Sequence, residues 1–223
     1  LIKRRSVRIG AMATLTLFLV VAGWYGVRRG LQAAFLFQEE SPAVRHLEIA
    51  GRRLVSREVV APTPAYDFRL NDRSGSSLSL RDLEGKAVLL SFIYTNCPDV
   101  CPLLTSYYLQ LQGEFSQEVQ EGKLALVFIT TDPERDTPQR LQQYTENLGG
   151  RWFFLTGDNS QMGKVWGNYG IHREVRERNK EIVVYHSYKT YLLDRTGHIR
   201  VRYTGIWYPN EVTADIRGLL ESQ

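Results

Sequence analysis

Cysteine is nearly absent from this 223-residue sequence, which contains only Cys97 and Cys101. Two cysteines are too few for the disulfide framework of a small secreted scaffold, and their close spacing favours one shared role. The apolar fraction of 43% is enough to build a buried core without such a framework. We therefore expect one globular domain of ordinary size with extensions.

An excess of positive charge is also missing once the N-terminus is set aside. Six of the 28 basic residues lie in the first thirty positions, which contain no acidic residue. The remaining 22 basic residues are outnumbered by 24 acidic ones, so the rest of the chain has no polybasic face. This balance excludes nucleic acid as an expected partner.

Charge is absent altogether from residues 9–27, which form an apolar run of nineteen residues. A helix of this length spans about 28 Å, close to the thickness of the bilayer hydrocarbon. Trp24 and Tyr25 suit the membrane interface, and the cations in residues 1–8 favour a cytoplasmic N-terminus. We predict a single transmembrane anchor, because the end of the run is a poor small-residue cleavage site for the alternative, a signal peptide.

The predicted topology places the rest of the chain outside the cytoplasm. In a bacterium the anchor would lie in the inner (cytoplasmic) membrane, and in a eukaryote in the mitochondrial inner membrane. Residues 28–65 mix charges with proline turns, and we predict a tether there with at most one short helix or strand.

From residue 66 the sequence alternates between strand and helix patterns. The apolar runs 87–95 and 123–131 predict buried parallel strands, and a turn at 195–197 predicts a closing antiparallel hairpin. We therefore predict an α/β domain over residues 66–223 with a mixed central sheet.

Helices and one insertion complete the predicted domain. Residues 171–185 are expected to form an insertion that bears a hairpin or a loop. Asp136, or Thr137, is predicted to cap a helix that has Pro138 in its first turn. The predicted helices span residues 103–115, 138–148, 159–169 and 209–220.

The cysteines directly follow the first buried strand and precede a predicted helix. Ligands of open α/β sheets bind at the carboxyl ends of the strands, so Cys97 and Cys101 have the position of a functional site. A helix N-terminus nearby would stabilise thiolate, which serves both as nucleophile and as metal ligand. Their spacing exceeds by one residue that of the common dithiol redox motif. Metal binding and thiol exchange both remain open, as do a structural disulfide and two unrelated core cysteines.

Three motifs resemble the Sco/SenC family, copper proteins that assist the assembly of cytochrome c oxidase. The motifs are YTNCPDVCP at 94–102, TDPERDTP at 131–138 and HSYKTYLLDRTG at 186–197. The resemblance covers about residues 66–220 and implies a thioredoxin-like fold. It also implies that Cys97, Cys101 and His186 are the copper ligands. Asn96 stands where many relatives have histidine, at a position that is not a ligand.

His186 precedes a predicted strand, at a loop that faces the dithiol in thioredoxin-like folds. Tyr188 stands where related oxidoreductases have a cis-proline, so a residue associated with dithiol exchange is replaced. Two thiolates and one imidazole are a soft ligand set that suits Cu(I), and an added oxygen ligand would support Cu(II). The other histidines, His46, His172 and His198, are expected at the surface.

Asp132 follows the second buried strand and is expected at the same edge of the sheet as the cysteines. One interpretation is that it solvates its loop. The other is that it borders the copper pocket or contacts a partner.

The resemblance implies a metallochaperone that delivers copper to the binuclear site of cytochrome c oxidase subunit II. Other copper chaperones and thiol–disulfide reductants are further partners to expect. The alternative is a membrane-anchored thiol–disulfide reductase that uses Cys97 and Cys101 to keep the cysteines of the target reduced. A peroxiredoxin-like peroxidase is disfavoured because the usual setting of its reactive cysteine is absent. His186 distinguishes the first two functions, since Cu(I) binding should need it and dithiol exchange should not.

Overall fold

A computed structural model of the chain describes residues 48–49, 52–53, 56–178 and 180–222. The predicted cytoplasmic segment 1–8 and transmembrane anchor 9–27 lie outside these residues. Among the residues that are described, no helix has both the length and the apolar character needed to cross a membrane.

The described residues form twelve strands and five helices, and strands alternate with helices over residues 87–178. In chain order the strands are β1 (Glu48–Ile49), β2 (Arg52–Arg53), β3 (Ser56–Pro64), β4 (Arg69–Asn71), β5 (Ser77–Ser79), β6 (Ala87–Ile93), β7 (Leu124–Thr130), β8 (Phe153–Leu155), β9 (Arg173–Arg178), β10 (Glu181–His186), β11 (Lys189–Leu193) and β12 (His198–Thr204). The helices are α1 (Cys101–Glu114), α2 (Ser116–Gln120), α3 (Pro138–Asn147), α4 (Asn159–Asn168) and α5 (Pro209–Glu221), with a 3-10 turn at Leu80–Leu83.

A six-stranded mixed sheet carries the candidate site at the end of its central strands. The strands lie in the order β3, β12, β11, β6, β7, β8. Strands β6, β7 and β8 are parallel, whereas β11, β12 and β3 add antiparallel pairs on the other side. This is the predicted mixed α/β sheet of a thioredoxin-like fold.

The central strands β6 and β7 are buried along their full length, as parallel strands covered on both faces should be. On one face Leu89 and Phe128 join a core with Tyr108 of α1 and Ile216 of α5. On the opposite face, neighbouring residues of the same strands join a second core with Met162 of α4. Because helices pack on both sides, the loop that leaves β6 starts from a rigid point.

Most predicted elements are present, and their ends agree within a few residues. The predicted helices correspond to α1, α3, α4 and α5, and the insertion forms the hairpin β9–β10. Helix α1 begins at Cys101, two residues before the predicted start. The hairpin between β11 and β12 turns as predicted, with Gly197 at a φ of 76° that favours glycine.

Two predictions need correction. Strand β3 lies within the segment predicted as a tether, and it pairs with β12 as an edge strand, so the sheet begins before residue 66. Its side chains are mostly exposed, and its sequence therefore lacks the alternation that marks a strand. Asp136 does not cap α3: Thr137 accepts the hydrogen bond from the Arg140 N–H, and Asp136 is buried.

Candidate metal centre

The two cysteines belong to the turn that connects β6 to α1. The Cys97 N–H donates to the Tyr94 carbonyl at 3.4 Å, which closes the turn just after the strand. Cys101 is the first residue of α1, and Pro102 follows in the first turn, where a helix needs no N–H donor. The sequence thus brings both sulfurs to the N-terminus of one helix.

Both thiols are free and buried, with 9% of Cys97 and 2% of Cys101 exposed. A hydrogen bond from Cys101 lowers the pKa of Cys97 to about 6, helped by the backbone N–H groups of Asp99, Val100 and Cys101 and opposed by burial. The same bond, together with burial, raises the pKa of Cys101 strongly. At neutral pH the pair therefore consists of one thiolate and one thiol.

His186 ends strand β10 and faces Cys101. Its Nδ1 lies 3.0 Å from the Ser187 carbonyl oxygen, which can only accept, so Nδ1 carries the proton. The unprotonated Nε2 lies 4.0 Å from Cys101 Sγ. Burial lowers the pKa of His186, which keeps the ring neutral. A neutral imidazole whose other nitrogen is tied to a carbonyl is the usual form of a histidine ligand.

Two tyrosine rings flank His186. The centre of the His186 ring lies 6.0 Å from that of the Tyr94 ring and 5.1 Å from that of the Tyr188 ring, and both pairs are edge-to-face. The Val184 N–H donates to the Tyr94 hydroxyl at 3.2 Å, which ties the histidine strand to the cysteine turn. Burial, followed by the negative charge at the cysteine pair, raises the pKa of Tyr188 to about 12. Sequence reasoning missed Tyr94, although it begins the cysteine motif.

The donor set fits copper in its chemistry. Two sulfurs and one imidazole are soft ligands that select Cu(I). Bond lengths of about 2.3 Å for sulfur and 2.1 Å for nitrogen, typical of zinc, let two ligands of one ion lie up to about 4.4 Å apart, so Cys101 and His186 are within range. Among the described residues, however, no three such donors already lie close enough to hold one ion. Cys97, Cys101 and His186 must therefore move slightly closer together to bind copper.

Asp136 holds the cysteine turn in place through hydrogen bonds to Thr95, the residue two positions before Cys97. It accepts hydrogen bonds from the Thr95 N–H at 3.1 Å and from the hydroxyls of Thr95 and Thr130. Arg140 of α3 donates to the Thr95 hydroxyl at 3.0 Å and to the Asn96 side chain at 3.2 Å. Burial raises the pKa of Asp136. Asn96, next to Cys97, thus accepts a hydrogen bond from Arg140, one of the residues that hold the turn in place.

Asp132 lies at the same edge of the sheet as the cysteines, as expected. Its side chain, however, contacts two arginines, one that donates to β10 of the hairpin and one that belongs to β9. It is only 2% exposed, so solvation of its loop does not describe it. Its carboxylate accepts a hydrogen bond from Arg135 Nε and lies 3.9 Å from Arg173 Nη2. Burial raises its pKa.

A cavity of about 220 Å³ opens beside the two sulfurs. Cys97 and Cys101 form part of its wall, with Leu109 of α1, Tyr144 of α3 and Leu148 completing the apolar side. Leu148 is 40% exposed, so the cavity communicates with the surface. An incoming ion or a partner side chain can reach the thiols from this side.

Comparison with known proteins gives a consistent result. The family model described as SCO1/SenC matches residues 60–221. The mitochondrial SCO2 homolog of Bos taurus is 30% identical over 153 residues, which cover 68% of this chain and 58% of the bovine protein. The chain thus spans less than two thirds of the length of that relative.

Solved structures show the same fold. The copper-bound structure of Bradyrhizobium japonicum ScoI is 29% identical, with a TM-score of 0.60, and the match covers 70% of this chain and 99% of that one. The copper-bound structure of yeast Sco1 is 25% identical, with a TM-score of 0.59, and the match covers 73% of this chain and 91% of that one.

Proposed function

The chain belongs to the SCO1/SenC family, and we propose that it binds copper through Cys97, Cys101 and His186. The observation that carries this proposal is the approach of a neutral imidazole to a reduced thiol pair, with Nε2 at 4.0 Å from Cys101 Sγ. Two similar solved structures, of the Bradyrhizobium and yeast proteins, have copper bound.

Each donor has a defined part in this proposal. Cys97 and Cys101 supply the soft sulfurs that favour Cu(I), and His186 supplies the third ligand. With an added oxygen ligand, the same residues can hold Cu(II). The cavity between α1 and α3 leaves one side of the thiols open, so an acceptor can take the ion by ligand exchange.

We further infer that copper is the cargo of a metallochaperone. The proposed acceptor is the binuclear copper site of cytochrome c oxidase subunit II, and the proposed donors are other copper chaperones. Residues 9–27 would anchor the chain in the bacterial inner or the mitochondrial inner membrane, with the copper-binding domain outside the cytoplasm. Carbonate extraction of membranes tests the anchor, because a spanning chain stays in the membrane pellet.

A second function, thiol–disulfide reduction, uses the same cysteines. It is favoured by the fact that both are free and that Cys101 lowers the pKa of Cys97 to about 6. Cys97 would attack a target disulfide to form a mixed disulfide and release one thiolate. Cys101 would then attack Cys97, which releases the second target thiol and leaves a Cys97–Cys101 disulfide. A thiol reductant would reset the pair.

An anaerobic Cu(I) titration against a competing chelator tests the copper proposal. The full chain is expected to bind one copper, and His186→Ala is expected to bind it at least tenfold more weakly. His172→Ala is the matched control, because His172 is exposed and only its backbone is hydrogen-bonded to Ser187. A ratio well below one copper per chain, or unchanged affinity in His186→Ala, contradicts the three-ligand proposal.

A further inference from the structure

The hairpin β9–β10, which ends at His186, lies outside the six-stranded sheet. In the described part of the chain its two strands pair only with each other. Within β10, Val184 alone is buried, and the side chains of β9 are exposed beyond its first residue. Because the rest of the hairpin is so little buried, polar contacts must add to the packing of Tyr94 and Tyr188 in positioning the His186 ring.

One buried carboxylate connects to both strands of this hairpin. Asp132 accepts a hydrogen bond from Arg135 Nε, and Arg135 Nη1 donates to the Ile182 carbonyl of β10 at 2.9 Å. Asp132 also lies 3.9 Å from Arg173 Nη2. Arg173 is the residue of β9 directly opposite His186 in the strand register. The carboxylate is thus connected to β10 through Arg135 and to β9 through Arg173.

Arg173 is itself held firmly. Its Nε donates to the Thr131 carbonyl at 2.6 Å, and its Nη2 donates to Glu134 at 2.9 Å. Its guanidinium lies 4.9 Å from the ring centre of Trp166. The start of β9 is therefore attached to the loop after β7, the loop that carries Asp132.

We propose that Asp132 is a positioning residue that keeps His186 directed at Cys101 by holding Arg135 and Arg173. The proposal rests on the proposed function, in which His186 is a copper ligand. Without the Asp132 carboxylate, Arg135 loses the acceptor that orients it toward the Ile182 carbonyl, and Arg173 loses a nearby negative charge while it keeps Thr131 and Glu134. The hairpin is therefore held less firmly, mainly at β10. Removing a group hydrogen-bonded to a metal ligand typically weakens metal binding about 10- to 100-fold. Asp132 acts one step further out, through the two arginines, so a loss at the lower end, about tenfold, is expected.

A double-mutant cycle on the full chain tests whether Asp132 affects copper binding through His186. Cu(I) affinity is measured by chelator competition for Asp132→Asn, His186→Ala and the double variant. Asp132→Asn is expected to weaken binding about tenfold when His186 is present and less than about twofold when His186 is already absent. An equal loss in both backgrounds would show that Asp132 acts through the fold as a whole and would overturn the proposal.

The cycle separates this proposal from the proposed function. If His186→Ala has no effect on affinity, the three-ligand function fails. If His186→Ala weakens binding and Asp132→Asn does not, only the positioning role fails. Should Asp132→Asn not fold, Arg135→Lys replaces it, because lysine keeps the charge but cannot bridge Asp132 and the Ile182 carbonyl. The same background dependence is expected, and its absence overturns the proposal.

Asp215→Asn is the matched control. Asp215 is also a largely buried carboxylate, paired with Arg57 and with the Tyr203 hydroxyl on a different part of the sheet. The Asp215→Asn variant should be less stable than the original chain but should bind copper with the same affinity. Amide hydrogen exchange of the copper-free chain gives a second readout. Asp132→Asn should speed exchange in β10 relative to β7, whereas a uniform change in both strands contradicts a local role.

Discussion

The two halves of the proposed copper site are held in different ways. The cysteine turn continues from a central, fully buried strand and is fixed by Asp136, Arg140 and helix α1. The histidine hairpin lies outside the sheet and depends on Tyr94 and on the arginines that Asp132 holds. The two thiols thus follow a buried strand of the central sheet, whereas the third donor lies on a hairpin with few buried side chains. That combination would suit the proposed delivery of copper to an acceptor.

The largest expected difference between the halves concerns stability. Leu89→Ala removes a fully buried side chain of β6 and should lower the free energy of unfolding by about 3 to 5 kcal/mol. Val175→Ala, on the hairpin, removes a side chain that is 47% exposed and should cost less than about 0.5 kcal/mol. Urea unfolding measures both. Similar costs would show that the hairpin is as well packed as the sheet.

The next effect concerns the support of the cysteine turn. Asp136→Ala removes the acceptor of the Thr95 and Thr130 hydroxyls and should cost about 2 to 4 kcal/mol. Asp158→Ala, the control, removes an N-cap of α4 and should cost about 1 kcal/mol. Thermal unfolding compares the two. Equal costs would mean that Asp136 acts only as a local loop residue.

The asymmetry of the thiols predicts a pH dependence. Alkylation of Cys97 by iodoacetamide should follow its thiolate, so the rate should fall as the pH drops below about 6 and level off above it. Cys101→Ser keeps a hydrogen-bond donor and should hold the midpoint near 6. Cys101→Ala removes the donor and should raise the midpoint toward the ordinary value of about 8.5. The same midpoint in both variants would show that Cys101 does not set the reactivity of Cys97.

The smallest effect tests the direct link between the halves. Tyr94→Phe leaves the Val184 N–H without its acceptor and should cost about 1 kcal/mol, with a loss of copper affinity of about two- to threefold. Tyr188→Phe is the control, since the Tyr188 hydroxyl has no hydrogen bond among the described residues. Chelator competition and urea unfolding give the two values. Equal effects of both variants would argue against the link.

The cysteine half of the site could be predicted from the sequence, whereas much of the hairpin half could not. The run of apolar residues before Cys97 and the prolines after it are local signals, and they placed β6 and α1 correctly. The sequence left the cap of α3 open between Asp136 and Thr137 because both satisfy the same capping rule, and Thr137 is the cap. The predicted tether allowed one short strand, but the place of β3 in the sheet was missed because an exposed strand carries no hydrophobic alternation.

The connection of Asp132 to the hairpin could not be predicted from the sequence. Arg173 is 41 residues away, and the Ile182 carbonyl is 47 residues from Arg135, the arginine that donates to it. Nothing in the local pattern pairs these residues, and only the folded sheet edge brings them together. The assignment of His186 came from a resemblance and from its position before a strand, and the predicted copper ligation itself awaits measurement.

X-ray absorption of the Cu(I)-loaded full chain tests that ligation most directly. Two sulfur neighbours and one nitrogen neighbour are expected for each copper. His186→Ala should lose the nitrogen, and His172→Ala should leave the spectrum unchanged. A copper with no nitrogen neighbour in the original chain, or one that keeps its nitrogen in His186→Ala, would contradict a site built from Cys97, Cys101 and His186.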